Sequence, residues 1–208
     1  MPHRKCKTVY YFDELSAEAK EVVLDRWRVY DDPCPDWHES TVDDFIQIAE
    51  ILGVSIECKP VKLMGGGTRQ KPVVWFSGLD NRSGGVSFAG CYAYSTGWRK
   101  KLAAYAPLDK DLLEIGMALQ KAQVPVRYGA YAEITTRHGG NILVRVGYMD
   151  VSPSNDATDC AIEDALRSLA DWLYHRLQEE YEYQTSAEVI SEQIRDGEHE
   201  FTAGGLPA

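Results

Sequence analysis

Long apolar runs are missing from this chain: no stretch approaches the roughly 20 residues that cross a bilayer. The N-terminus, Met1-Pro2-His3-Arg4-Lys5-Cys6, is no apolar signal core, so a soluble, unexported protein of the cytoplasm is expected, with no membrane partner. Cysteines are few and never paired as C-x-x-C. Cys6, Cys34, Cys58, Cys91 and Cys160 are odd in number and far apart, which argues for free thiols and against a disulfide framework or a zinc cluster.

Catalytic signatures are missing as well. The histidines, His3, His38, His138, His175 and His199, show no H-x-x-x-H or H-E-x-x-H spacing that would place two metal ligands on one helical face. Met64-Gly65-Gly66-Gly67-Thr68 lacks the Gly-Lys-Ser/Thr ending of a phosphate loop and reads as a hairpin tip. Ser77-Gly78 follows a strand without the preceding glycine of a nucleophile elbow. Asp80, Asp156, Asp159, Glu163 and Asp164 lack the loop spacing of a calcium site. A non-enzymatic chain is expected, with no catalytic residue, cofactor or metal.

What is present is an uneven charge layout. The net charge is −10. Residues 31–57 carry eight acids and no Lys or Arg, residues 58–101 carry eight cations against Asp80 alone, and residues 158–200 carry twelve acids against three arginines. Acidic helical segments therefore enclose a basic middle, and such blocks serve either as solvated faces or as surfaces for a partner of opposite sign.

Periodicity supplies the elements. Lys7–Phe12 reads as a short strand, and Ser16 caps a helix over 17–30 with Ala19, Val23, Trp27 and Tyr30 on one stripe. Pro33 and Pro35 stop it. A second helix starts near Asp36, buries Val42, Phe45, Ile46, Ala49 and Leu52, and ends at Gly53. Val54–Leu63 is strand-like, with Pro60 marking an edge. Val73–Ser77 and Val86–Tyr94 form a central hairpin around the loop Asp80–Gly85. A helical turn near Trp98–Tyr105 and a helix with Leu112, Ile115, Leu119 and Ala122 come next. Strands over 126–136 and 142–151 follow, then a long helix over 159–183 and a short one capped at Thr185 or Ser186. The fold class is α+β, a single domain over 1–203: an antiparallel sheet of about five or six strands with about four or five helices packed on it, and a flexible tail at 204–208.

Phe12-Asp13-Glu14-Leu15-Ser16 before an Ala/Lys/Glu helix, Trp37 before an acidic helix, Phe76-Ser77-Gly78 with Ser87-Phe88-Ala89-Gly90-x-Tyr-x-Tyr, and Tyr181–Ser186 with Glu200-Phe201-Thr202 together resemble a family of small phage and prophage proteins. Members carry labels such as hypothetical or antitoxin-like, without an established activity. The resemblance implies a mobile-element origin, where small acidic proteins often bind host or defence machinery.

Charge and resemblance lead to one expected function: a phage-encoded inhibitor, an anti-CRISPR or other counter-defence protein, that binds a basic nucleic-acid-binding host defence protein through acidic faces. Asp43, Asp44 and Glu50 on the second helix and Glu179, Glu180 and Glu182 on the long helix would form those faces, with Trp37, Tyr181 and Tyr183 as aromatic anchors. An antitoxin-like, toxin-neutralising role is the alternative in the same class. A different class uses the basic aromatic hairpin 73–101 as a nucleotide or nucleic-acid module, with Asp80, Asn81, Arg82 and Trp98 as its ligand loop. The overall charge of −10 opposes direct nucleic-acid binding, and an edge strand near Pro60 leaves room for a homodimer.

Overall fold

The computed structural model describes residues 8–30, 36–79, 84–137, 140–149 and 155–208. The chain is α+β, and every strand pair among the described residues is antiparallel. In chain order the elements begin with β1 (Tyr10–Tyr11), α1 (Ala17–Tyr30), α2 (Glu39–Leu52), β2 (Val54–Ile56), β3 (Cys58–Lys62), β4 (Thr68–Pro72), β5 (Val74–Ser77), β6 (Gly85–Phe88) and β7 (Gly90–Ala93). They continue with α3 (Trp98–Tyr105), α4 (Lys110–Gln123), β8 (Ala130–Arg137), β9 (Asn141–Tyr148), α5 (Asp156–Gln184), α6 (Ala187–Asp196) and β10 (Glu200–Phe201). Within this α+β architecture the chain groups into two compact units, Met1–His38 with Glu179–Ala208, and Glu39–Gln178.

The first unit joins the two ends of the chain. β1 pairs with β10, and Phe12, Leu15, Ala19 and Val23 share a core with Ile190, Ile194 and Phe201. The expected caps form: the Ser16 hydroxyl accepts from the Ala19 N–H and the Ser186 hydroxyl from the Val189 N–H. Arg195 donates two bonds of 3.1 Å and one of 2.9 Å to the Asp13 carboxylate, whose pKa this guanidinium lowers. The closing residues, expected as a flexible tail, make hydrogen bonds and close contacts within this unit. The Ala208 N–H donates to the Glu200 carbonyl at 3.1 Å, and Gly205, at φ +79°, sits where a Cβ would lie 2.4 Å from the Ala19 carbonyl oxygen.

The second unit is built on the sheet β2-β7-β8-β9. On β8, Ala130, Ala132 and Ile134 are buried while Tyr131, Glu133 and Thr135 are exposed, so one face is packed as the alternation implies. Val42, Phe45, Ile48, Ala49 and Leu52 form the buried face of α2, with Ile48 in the place expected for Ile46. Phe45 packs on Phe88 with ring centroids 5.2 Å apart. Leu112, Ile115 and Leu119 of α4 and Ile162, Leu166, Leu169 and Leu173 of α5 complete the core.

The central hairpin is half of what its sequence suggests. β5 and β6 pair from Val74↔Phe88 to Ser77↔Gly85, but the chain after Phe88 leaves that partner, and β7 pairs with β2 and β8. Three segments meet at the changeover. The Glu57 N–H donates to the Ala89 carbonyl, the Ala89 N–H to the Val73 carbonyl, and the Val73 N–H to the Glu57 carbonyl. The ring of three backbone bonds leaves no orphaned group where the strands exchange partners. Its consequence is that β3 and β4 leave the sheet as a separate two-stranded ribbon.

β8 begins later than the pattern at Val126 suggests, because Arg127 and Tyr128 hold positive φ values of 53° and 62° in a tight turn after α4. Gln123, fully buried, completes the start of the strand: its amide donates to the Ala130 carbonyl at 2.7 Å and its oxygen accepts from the Ala130 N–H at 3.2 Å. A side-chain amide thus stands in for a neighbouring strand.

Candidate functional site

Asp111, Glu114, Ile115, Ala118 and Ala122 recur at three- and four-residue spacing and share one face of α4. Ala157, Ala161, Ala165 and Ser168 repeat in the same way along α5, with Asp164, Asp171 and Trp172 beside them. These two faces border an open groove of about 810 Å³ within the second unit. Directly packed helices lie with their axes roughly 8–10 Å apart, and side chains interdigitate between them. Here Ala118 and Ala122 on α4 and Ala157, Ala161, Ala165 and Ser168 on α5 stop at Cβ or one atom beyond it and leave space open between the helices.

Hydrogen bonds close both ends. The Thr158 hydroxyl donates to the Ala122 carbonyl at 3.4 Å, and the Trp172 indole N–H donates to Asp109 Oδ2 at 3.0 Å. The other Asp109 oxygen caps α4 by accepting from the Leu112 N–H at 3.0 Å. Thr158 to Trp172 spans about 21 Å of helix axis at roughly 1.5 Å per residue, room for about four turns of a docked helix.

The floor and walls are apolar, with Ile115, Ala122, Ala165 and Trp172 buried, while the rims are acidic. Asp111 and Glu114 on one side and Asp164 and Asp171 on the other are exposed, against Lys121 alone among the lysines and arginines of the lining. Among the described residues none of these four carboxylates is in an ion pair. Like charges along both lips repel one another, and a cationic guest would relieve that repulsion.

Beyond Trp172 a second depression of about 350 Å³ is lined by Asp44, Ile48, Tyr105, Leu108 and Arg176. The Tyr105 hydroxyl donates to Asp44 at 2.5 Å, and that bond raises the phenol's pKa. Leu108 is 92% exposed at its edge.

The residues expected from sequence are scattered across the two units. Asp43 and Glu50 stand exposed two turns apart on α2, and Asp44 is engaged by Tyr105. Glu179, Glu180 and Glu182 fall in the other unit, where Glu180 accepts from the Gln184 amide at 2.8 Å. Trp37 and Tyr181 do meet, with ring centroids 5.8 Å apart, both half-buried; Tyr183 is exposed. Asp80, Asn81 and Arg82 lie outside the described residues. Trp98 is a core residue. It is 4% exposed, its indole N–H donates to Gln120 at 3.1 Å, and a Cβ on Gly116 would come within 2.2 Å of its ring. Asp159, considered for a metal, instead accepts a short hydrogen bond from the Tyr148 hydroxyl. Among the described residues no cluster of His, Cys, Asp or Glu could hold a metal, and no helix is long and apolar enough to cross a membrane.

Sequence reading missed the groove, although a signal was present. Ala118 and Ala122 on one helix, and Ala157, Ala161 and Ala165 on the other, form ridges of small residues flanked by acids.

Residues 37–187 match the model of a family described as a domain of unknown function, DUF8835. The matched span runs from just before the second unit to just after it, and so contains the whole groove. No curated protein and no solved structure matches the chain.

Proposed function

Because the chain belongs to the DUF8835 family, a domain of unknown function, we propose its role from the groove: a non-enzymatic inhibitor that docks a basic helical segment of a nucleic-acid-binding protein between α4 and α5. The observation that carries this reading is the pairing of an apolar, alanine-lined trough with four unpaired carboxylates on its lips. An amphipathic helix with a narrow apolar face and flanking Lys or Arg fits both features at once. Occupying the basic surface of a defence protein of that kind is how a counter-defence protein of phage origin would act. An antitoxin that masks a basic toxin would use the same contact.

Affinity capture from cells carrying the protein, with mass spectrometry of what is retained, tests the reading. A basic nucleic-acid-binding protein is expected with the parent chain, with retention falling at least tenfold for Ala161→Trp, which fills the trough, and for Asp164→Lys/Asp171→Lys, which reverses one lip. Undiminished capture by both variants contradicts it.

A further inference from the structure

We propose that the β3–β4 ribbon binds double-stranded DNA, with its cations on the phosphates and its apolar tip against the base edges. This goes beyond the groove reading and stands on other residues. Every residue from Glu57 to Lys71 is exposed, so the ribbon's side chains fill no core. Its two strands carry Lys59, Lys62, Arg69 and Lys71 and no acid. The register sets Lys59 directly opposite Lys71, with Val61↔Arg69 next on the same face. Like charges facing each other across a ladder are destabilising. Arg69 is partly answered by Glu39 at 3.1 Å, but among the described residues Lys59, Lys62 and Lys71 make no ion pair. Lysine and proline also guard exposed strands against edge pairing. Guarding requires a charge on each edge, not a facing pair of lysines, and it does not account for an apex where Leu63 is 51% and Met64 108% exposed.

The overall charge of −10 is not what a phosphate on the ribbon meets first, because charges farther off than the Debye length of about 8 Å at physiological salt are largely screened. The local balance is four cations on the two strands against Glu57 at the base and Glu39, which pairs with Arg69. A two-stranded ribbon fits the roughly 12 Å major groove of B-DNA, whereas the major groove of A-form RNA is deep and narrow. The exposed Leu63 and Met64 offer apolar contact to thymine methyl groups on the floor of the DNA major groove.

The test is fluorescence anisotropy with a labelled 20-base-pair DNA duplex and an RNA duplex of the same sequence. Binding to DNA with a Kd of about 10 μM or tighter at 50 mM salt is expected, weakening about 40-fold by 200 mM for three phosphate contacts. Lys59→Gln/Lys62→Gln/Lys71→Gln should weaken it at least tenfold with an unchanged circular dichroism spectrum. Arg99→Gln/Lys100→Gln/Lys101→Gln, on the first turn of α3, should leave it unaltered. No binding at 50 mM salt, equal affinity for RNA, an unaffected ribbon variant, or loss only in the α3 variant overturns the proposal.

Discussion

The groove between α4 and α5 and the ribbon β3–β4 belong to one compact unit and are opposite in nearly every physical respect. The groove is concave, lined by small side chains and lipped with carboxylates; the ribbon is convex, bare on both faces and basic. One is framed by the hydrophobic core and the other is detached from it by the three-way strand junction. A segment's charge block therefore says little about its role until the fold decides whether that charge rims a recess or stands on a projection.

This contrast predicts unequal sensitivity to substitution. The largest effect is expected at the Trp172 end of the groove, where that indole is 8% exposed and donates to Asp109. Trp172→Ala should cost about 3–5 kcal/mol in chemical denaturation, the range for deleting a buried aromatic. A loss below about 1 kcal/mol would mean that the groove is not anchored in the core.

Next comes the sheet that carries both features. Burial pushes the Tyr92 hydroxyl up to about 12, against a hydrogen bond from Gln123 that acts the other way. A pKa raised in the fold contributes stability that is complete below the unfolded value near 10 and is lost as pH rises toward 12. Two units correspond to about 2.7 kcal/mol. Absorbance at 295 nm should show a late tyrosine step near pH 12, and Tyr92→Phe should remove that step from the alkaline limb.

The smallest effect is expected on the ribbon. Lys59→Gln should alter stability by less than about 0.5 kcal/mol and in the stabilising direction, because it removes the repulsion with Lys71. A clear destabilisation would assign the ribbon a packing role and weaken the contrast with the groove.

Much of the fold was legible because it rests on periodicity. α1 spans Ala17–Tyr30 as the Ala19–Val23–Trp27 stripe requires, α5 begins and ends within a few residues of its expected limits, and α6 starts directly after its expected cap at Ser186. The turn at Arg127–Tyr128 was hidden because neither residue favours positive φ, and the ring at Glu57, Val73 and Ala89 because backbone exchange leaves no mark on side-chain pattern. The groove was hidden for a different reason. Its walls come from two helices more than thirty residues apart in sequence, alanine reads as neutral to burial, and Asp111 or Asp164 alone reads as a solvated helix face.

The most direct measurement of the central claim places a photo-crosslinking amino acid at Ala161 in the groove and, in a parallel chain, at Thr135 on the exposed face of β8. Irradiation in cells should join position 161, and not 135, to a lysine- or arginine-rich segment of another protein, with the yield abolished by Asp111→Lys/Glu114→Lys/Asp164→Lys. Equal yields at both positions, or a crosslink at 161 only to this chain's own ribbon, would contradict the groove as the partner site.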